Sequence, residues 1–589
     1  METNGKASSR ERQEKRSPGL PCVAWSCAIA TVVLALATAA AASAGEEDEA
    51  TSSGHISRAA AAAAPSSINV TAICRSTPYP SACEKALSSS GARSSGDPFA
   101  ASVQFAMVRA ASAHALAHNL SASSMPPPRG APPSGMVDCA ELLDISVHQL
   151  RDALAGSARD ADGATTWLSA ALTNQGTCRD SLAAVPAAAG REAMRRQVAA
   201  LAKFISTALA LHVAKARDGS GSQSSAAPAP APNGSTSPFP PWVSEHDRRL
   251  LESPFADVTP DALVALDGSG THRSIGDAIA AVTAAALAPP GTAAIGGGCG
   301  GGGRRAAARK VIHVKAGRYE ETVSISNSQT NVMLLGDGKG KTVIVGSKSA
   351  GDGYTTFASA TVAAMGAGFI ARGLSIVNSA GPGKGQAVAL LVGGDRSVVY
   401  RCSIEGHQDT LCAHSNRQLF AEDDIAGTVD FIFGNAAAVV QRCRLAARRP
   451  GPGQVVVVTA QGREDPNQNT GLSLHRCRLA AAPDLGGAPV FLGRPWRARA
   501  RVVVMGCALD AAVAPAGWLR WSSETPATST VYYGEYGNTG PGAATRGRVT
   551  WSGVHTWMSA AEAMEFTVGR FISGGSWLGS TGVRYISGL

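Results

Sequence analysis

The sequence predicts two folded parts: an all-α four-helix bundle in the N-terminal half and an all-β parallel β-helix in the C-terminal half. Three observations carry this. Alanine-rich apolar stretches fill residues 67–215 and then give way to Gly, Ser, Ala and Pro. Beyond residue 262, short Val/Ile-rich segments alternate with Gly, Asn and Asp, without the spacing of a βαβ fold. In that half Gln386, Gln408 and Asp430 recur at one spacing, since 408−386 = 22 and 430−408 = 22. A period in the twenties marks a solenoid whose coils stack about 4.8 Å apart, so such residues fall in one cluster.

Length and composition agree with two domains. The chain has 589 residues, 44% apolar and 16% charged, enough to bury sizeable cores. A formal charge of +9 favours acidic partners: nucleic acid, anionic lipid or a polyanionic polysaccharide. No run of Lys/Arg interleaved with aromatics argues for nucleic acid.

Residues 1–44 read as a targeting segment. Lys6, Arg10, Arg12, Lys15 and Arg16 precede an apolar run over residues 23–44, which ends in the small-residue site Ala42-Ser43-Ala44. The run is also long enough to span a bilayer. It therefore reads either as a cleaved signal peptide or as a membrane anchor through residues 23–44, with its basic flank in the cytoplasm. Both readings send the bulk of the chain into the secretory pathway, where disulfides form. Of twelve Cys, Cys22 and Cys27 lie in this segment. Asn69, Asn119 and Asn233 open glycosylation triplets.

Helical stretches are predicted over residues 100–120, 139–154, 164–184 and 191–214, which implies an antiparallel bundle. A Pro-rich loop at 125–133 interrupts it. Cys74, Cys83, Cys139 and Cys178 punctuate this half, and four Cys allow three connectivities. Residues 216–254 are a linker. It carries a dibasic pair in Arg248, Arg249, Leu250 and Leu251, a pattern suited to a processing protease.

The C-terminal half, 255–589, opens with a strand, a Gly turn and a short helix. A Gly-rich segment at 289–305 lacks the GK[ST] ending of a phosphate loop and reads as an insertion; its Cys299 has no evident partner. In GTVDFIFGN, Val429, Phe431 and Phe433 alternate onto one strand face, assigned to the core. Asp430 then points outward to a groove. Adjacent strand residues face opposite ways, so Gln408 and Asp409 need a bend between them to act together. Two close carboxylates with spare amide donors suit acid/base or covalent ester chemistry.

The blocks GQAVALLV, HQDTL, GTVDFIFGNA and LGRPW, in this order, resemble the active-site blocks of plant pectin methylesterases (pectinesterases). GRYEE, AQGREDPNQNTG, YYGEYGNTGPGA and FTVGRFISGGSWL extend the resemblance. It implies a right-handed parallel β-helix with a surface groove, and hydrolysis of the C6 methyl ester of galacturonate in pectin with release of methanol. By the family pattern Asp430 is the nucleophile and Asp409 the acid, then the base. Gln386 and Gln408 donate to the oxyanion, and Arg494 holds Asp430 ionised. Gln386, Arg494, Trp496 and Phe431 are the implied substrate contacts, with Trp518 and Trp521 also along the groove. No metal or cofactor is implied.

ICRSTPYPSAC, DCAELLD and WLSAALTNQGTC resemble the pectin methylesterase inhibitor domain that precedes many such enzymes. The resemblance implies the pairs Cys74–Cys83 and Cys139–Cys178, and Cys443–Cys477 in the catalytic half. It also implies pro-region removal at the RRLL motif, a helical half that restrains the esterase as an intramolecular partner, and secretion to the cell wall. The chain departs from the pattern at His407 and Cys412, where Tyr is usual, at Leu391, where Arg is common, and at Asp423, where some relatives have Cys. A β-helix lyase would want a calcium-binding carboxylate cluster and a polygalacturonase additional close carboxylates. Neither pattern is present, and the intact site residues argue against a non-enzymatic binding protein.

Overall fold

Helices of the N-terminal half form where apolar residues recur at three and four. The computed structural model describes residues 69–89, 96–122, 135–157, 160–184, 190–220, 259–284, 309–522 and 527–589. Helices α1 (Val70–Cys74) and α2 (Pro80–Ser89) make a short hairpin. The bundle is α3 (Pro98–Ala122), α4 (Gly135–Gly156), α5 (Ala161–Ala184) and α6 (Arg191–Ser220). In α5 the buried residues Ala164, Leu168, Ala171, Gln175, Cys178 and Leu182 keep one stripe against the core. Asn69 caps α1 by accepting from the Ala72 amide at 3.0 Å. Cys74 is bonded to Cys83, and Cys139 to Cys178, which ties α4 to α5. Helix α6 runs on to Ser220, past the point where the linker composition begins.

In the C-terminal half a strand, Ala262–Val264, and a helix, Ile275–Ala284, precede a stack of coils. Among the described residues the strands form three parallel sheets of 11, 7 and 8 strands, a parallel β-helix. Strands buried between coils explain the Val/Ile runs. Coils are 21 residues long where the site lies, since Leu390 pairs with Leu411 and Leu411 with Ile432. The spacing of 22 in the sequence therefore slips one residue per coil.

One corner of the coils recurs with positive φ at Arg401, Glu422, Arg442 and Arg476. The next residue in each coil, Cys402, Asp423, Cys443 or Cys477, points inward and continues at Cys507. Main-chain amides bond up this stack: Cys402 to Asp423 Oδ1 at 2.7 Å, Asp423 to Cys443 Sγ at 3.3 Å, and Cys477 to Cys507 Sγ at 3.3 Å. Cys443 and Cys477 are free thiols here, so the implied pair does not form. Their sulfurs serve instead in this stack, Cys443 as acceptor and Cys477 bonded to the Val440 carbonyl at 3.1 Å. Cys402 and Cys412 are free as well.

Each half has its own core. One cluster runs from Ala86 to Leu209 across α2–α6, and another fills the β-helix from Ala262 to Tyr533. Separate cores mark independently folding units. The targeting segment with its 23–44 run, the 125–133 loop, Asn233, the site Arg248, Arg249, Leu250 and Leu251, and the Gly-rich segment with Cys299 lie outside the described residues.

Candidate active site

The site is built on turns. Strand Leu411–Ala413 follows a turn holding Gln408 and Asp409, and strand Ile432–Gly434 follows one holding Asp430. Because Leu411 pairs with Ile432, the two aspartates occupy the same corner of successive coils. Both have left-handed backbones, φ 63° at Asp409 and 52° at Asp430. Such conformations are uncommon outside Gly, Asn and Asp, and cluster at functional sites. The bend expected at Gln408-Asp409 is this turn. Asp430, expected on a strand, lies in the equivalent turn.

Register sets the floor of the groove. Ala363, Leu391, Cys412, Phe433, Ala460 and Arg494 stack on successive coils of one sheet. Arg494 stands two coils beyond Phe433, and the short Ala460 between them leaves its side chain a path back. Arg494 reaches Asp430 with Nε to Oδ1 at 2.8 Å and Nη2 to Oδ2 at 2.6 Å. Its guanidinium also lies 4.4 Å from the Trp521 ring centre. Gly434 keeps the coils close here: at φ 126°, a Cβ would stand 2.0 Å from the Ala413 carbonyl oxygen.

The two carboxylates differ in environment. Burial raises Asp409 well above the usual carboxylate range, the charge of Asp430 raises it further, and Arg494 opposes. Burial also raises Asp430, but Arg494 holds it down through hydrogen bonds and charge. Asp409 therefore keeps its proton more readily than Asp430. Gln386 and Gln408 line the same cavity, and neither amide is bonded to another group among the described residues. The amide of Ala387 donates to the Gln408 carbonyl at 3.2 Å, holding the two segments side by side.

Several expected contacts change. Phe431 is fully buried in the β-helix core and cannot touch substrate; the turn at Asp430 shifts the alternation by which it was paired with Phe433. Phe433 faces the groove instead, its ring 6.0 Å from Trp496 at 65°. Trp518 is core, stacked 4.3 Å from Tyr533. Trp496 and Trp521 do line the cavity. His414, which the motifs did not single out, lines it too, and burial lowers its pKa to about 4, so it is neutral near pH 7.

Helix α5 forms the roof over a cavity of about 470 Å³. Thr166, Ser169, Thr173, Thr177 and Asp180, spaced three and four apart, meet the β-helix along one line. Asn469 donates to Thr166 at 2.9 Å, and Gln468 to the Ser169 carbonyl at 3.1 Å. Asn435 donates to Thr173 at 2.9 Å, and Thr177 bonds His414 Nε2 at 2.9 Å. Arg497 Nη2 meets both oxygens of Asp180 at 2.6 Å. Beside the roof, Ile145 of α4 is buried against Leu391, Cys412 and Phe433. Polar residues at helical spacing, at 166, 169, 173, 177 and 180, were the signal available in the sequence.

Comparison with known proteins decides the family. The profile "Pectinesterase" matches residues 303–575, and "Plant invertase/pectin methylesterase inhibitor" matches 69–211. A probable pectinesterase/pectinesterase inhibitor 35 of Arabidopsis thaliana is 45% identical over 505 residues, 84% of this chain and 88% of that one. The chain belongs to the pectinesterase family. Pectinesterase 2 of Citrus sinensis is 41% identical over 532 residues, 88% of this chain and 94% of its own. The solved pectin methylesterase from carrot is 49% identical with a TM-score of 0.52; it covers 57% of this chain and is itself covered in full. As a pectinesterase, the chain is a carboxylic ester hydrolase acting on the methyl esters of pectin, with an inhibitor-like helical domain before its β-helix.

Proposed function

We propose that the chain is an aspartyl esterase whose groove is held shut by its own helical half until the linker is cut. The polar stripe of α5 across the cavity that holds Asp409, Asp430 and Arg494 supports this most directly. In the open enzyme, an oxygen of Asp430 attacks the C6 ester carbonyl. Gln386 and Gln408 donate to the oxyanion, and Asp409 protonates the departing methoxide as methanol leaves. An acyl-enzyme anhydride remains. Asp409, now ionised, takes a proton from water, and the hydroxide attacks the galacturonoyl carbon. Asp430 departs as carboxylate and the product is the free acid. Arg494 keeps Asp430 ionised and aligned throughout.

The domain assignment follows: targeting segment 1–44, inhibitor-like pro-region 67–215, linker 216–254 and catalytic half 255–589. A processing protease cuts at Arg248-Arg249, and the product acts in the cell wall. The 23–44 run either is removed or holds the precursor at the membrane before that cut. In the catalytic half, Asp430→Asn should abolish methanol release while circular dichroism is unchanged. Turnover within tenfold of the parent would remove the nucleophile assignment.

A further inference from the structure

At Arg497 the enzyme half offers a positive charge to the α5 stripe, and the helix answers with a carboxylate, Asp180. Its guanidinium bonds both oxygens of Asp180 through Nη2, each at 2.6 Å, and lies 4.9 Å from the ring centre of Trp496. Trp496 lines the catalytic cavity, and its ring meets Phe433 on the floor. Among the described residues, Asp180 is the carboxylate paired with Arg497, and it belongs to the helical half. When that half leaves, Arg497 loses the carboxylate it is paired with, and its guanidinium remains over an aromatic ring at the edge of the groove.

We propose that Arg497 binds a free galacturonate carboxylate beside the ester being cleaved, and that Asp180 stands in for that carboxylate in the uncut chain. This rests on reading the groove as the pectin site. The chemistry of the substrate fits: every unit that has lost its methyl ester presents a planar carboxylate, the group a guanidinium stacked on an aromatic best receives. The reacting unit needs no such partner, because its ester is neutral. The floor near Asp430 matches that, with Leu391, Cys412, Phe433 and Ala460 uncharged and Arg494 engaged by Asp430. Glu464 shares the rim and pairs with Arg179 of α5 at 3.1 Å. It is more than half exposed, where solvent and salt screen its repulsion of an anionic substrate. The groove thus distinguishes two positions: a neutral one for the ester and a cationic one for an acid.

The test uses residues 252–589, whose core is separate from that of the bundle. Methanol release is measured on fully methylated oligogalacturonide and on a partly de-esterified one of equal length. The parent should favour the partly de-esterified substrate in kcat/KM. Arg497→Gln should cut that ratio about tenfold through KM, the scale of one charge-assisted bond, and Arg497→Lys should restore part of it. In the full chain with Arg248 and Arg249 both changed to Ala, Asp180→Asn should raise methanol release. An unchanged substrate ratio in Arg497→Gln overturns the carboxylate site, and an unchanged full-chain rate in Asp180→Asn overturns the mimicry. Absence of methanol release by the parent fragment on both substrates would instead overturn the reading of the groove on which the inference rests.

Discussion

Arg494 holds both oxygens of Asp430, Nε to Oδ1 at 2.8 Å and Nη2 to Oδ2 at 2.6 Å, from a strand two coils further along the stack. The bidentate pair fixes the direction in which the carboxylate lone pairs point, as well as its charge. Arg494→Lys keeps the charge and loses the fork. Methanol release should fall about 100-fold or more with this change, in kcat rather than KM. Wild-type kcat in Arg494→Lys would show that charge alone suffices.

The acid/base pair sets the pH profile. On the proposed roles, activity needs Asp430 ionised and Asp409 protonated. It should fall at low pH as Asp430 takes a proton, and at high pH as Asp409 loses one, and the raised position of Asp409 places that alkaline limb above the usual carboxylate range. Stability follows the same linkage. A carboxyl raised by folding binds its proton more tightly in the native state, so its contribution is complete below the unfolded pKa and is lost as pH rises through the folded one. Asp409→Asn removes that loss. The inactive variant should melt a few degrees above the parent near neutral pH, with the gap closing toward pH 4. A variant that melts lower at neutral pH would mean that Asp409 is not strained by burial.

The two phenylalanines of GTVDFIFGN should separate cleanly. Phe431 is enclosed by the core, so Phe431→Ala should cost about 3–5 kcal/mol of stability. Phe433 faces the cavity against Trp496, so Phe433→Ala should mainly raise KM. Denaturant unfolding and steady-state kinetics on both variants decide this, and equal destabilisation would place both side chains in the core.

Processing should leave a mature N-terminus near Leu250. N-terminal sequencing of the secreted protein reads this directly. Residues 60–240 still attached would refute a cut at the dibasic pair.

Much of this was legible in the residues. Alanine-rich apolar stretches and Val/Ile runs between Gly and Asn gave both architectures, because composition and short-range pattern are local properties. The candidate site residues came from motifs and from a near-constant spacing. Their exact placement did not, because coil length depends on how loops close. The true step is 21, and Asp430 sits at a left-handed corner that no alternation rule describes. That corner also turns Phe433 toward the groove, away from the core face that alternation gave it with Phe431. The Cys443–Cys477 pair failed for a related reason: stacked positions bring several thiols together, and pairing depends on sulfur geometry within the stack. The contacts of the roof were invisible to motif reading because they join residues hundreds of positions apart, Asp180 and Arg497 being 317 apart.

Helix α5 is proposed to close the groove of its own enzyme. A tethered partner acts at high effective concentration, so even modest affinity holds the cavity shut until the linker is cut and dilution separates the halves. The decisive measurement is methanol release from methylated pectin, per molecule, by the full chain with Arg248 and Arg249 both changed to Ala and by residues 252–589 alone. At least about tenfold higher activity is expected of the fragment. Equal specific activities would contradict it, and would leave the helical half a role in folding or transport.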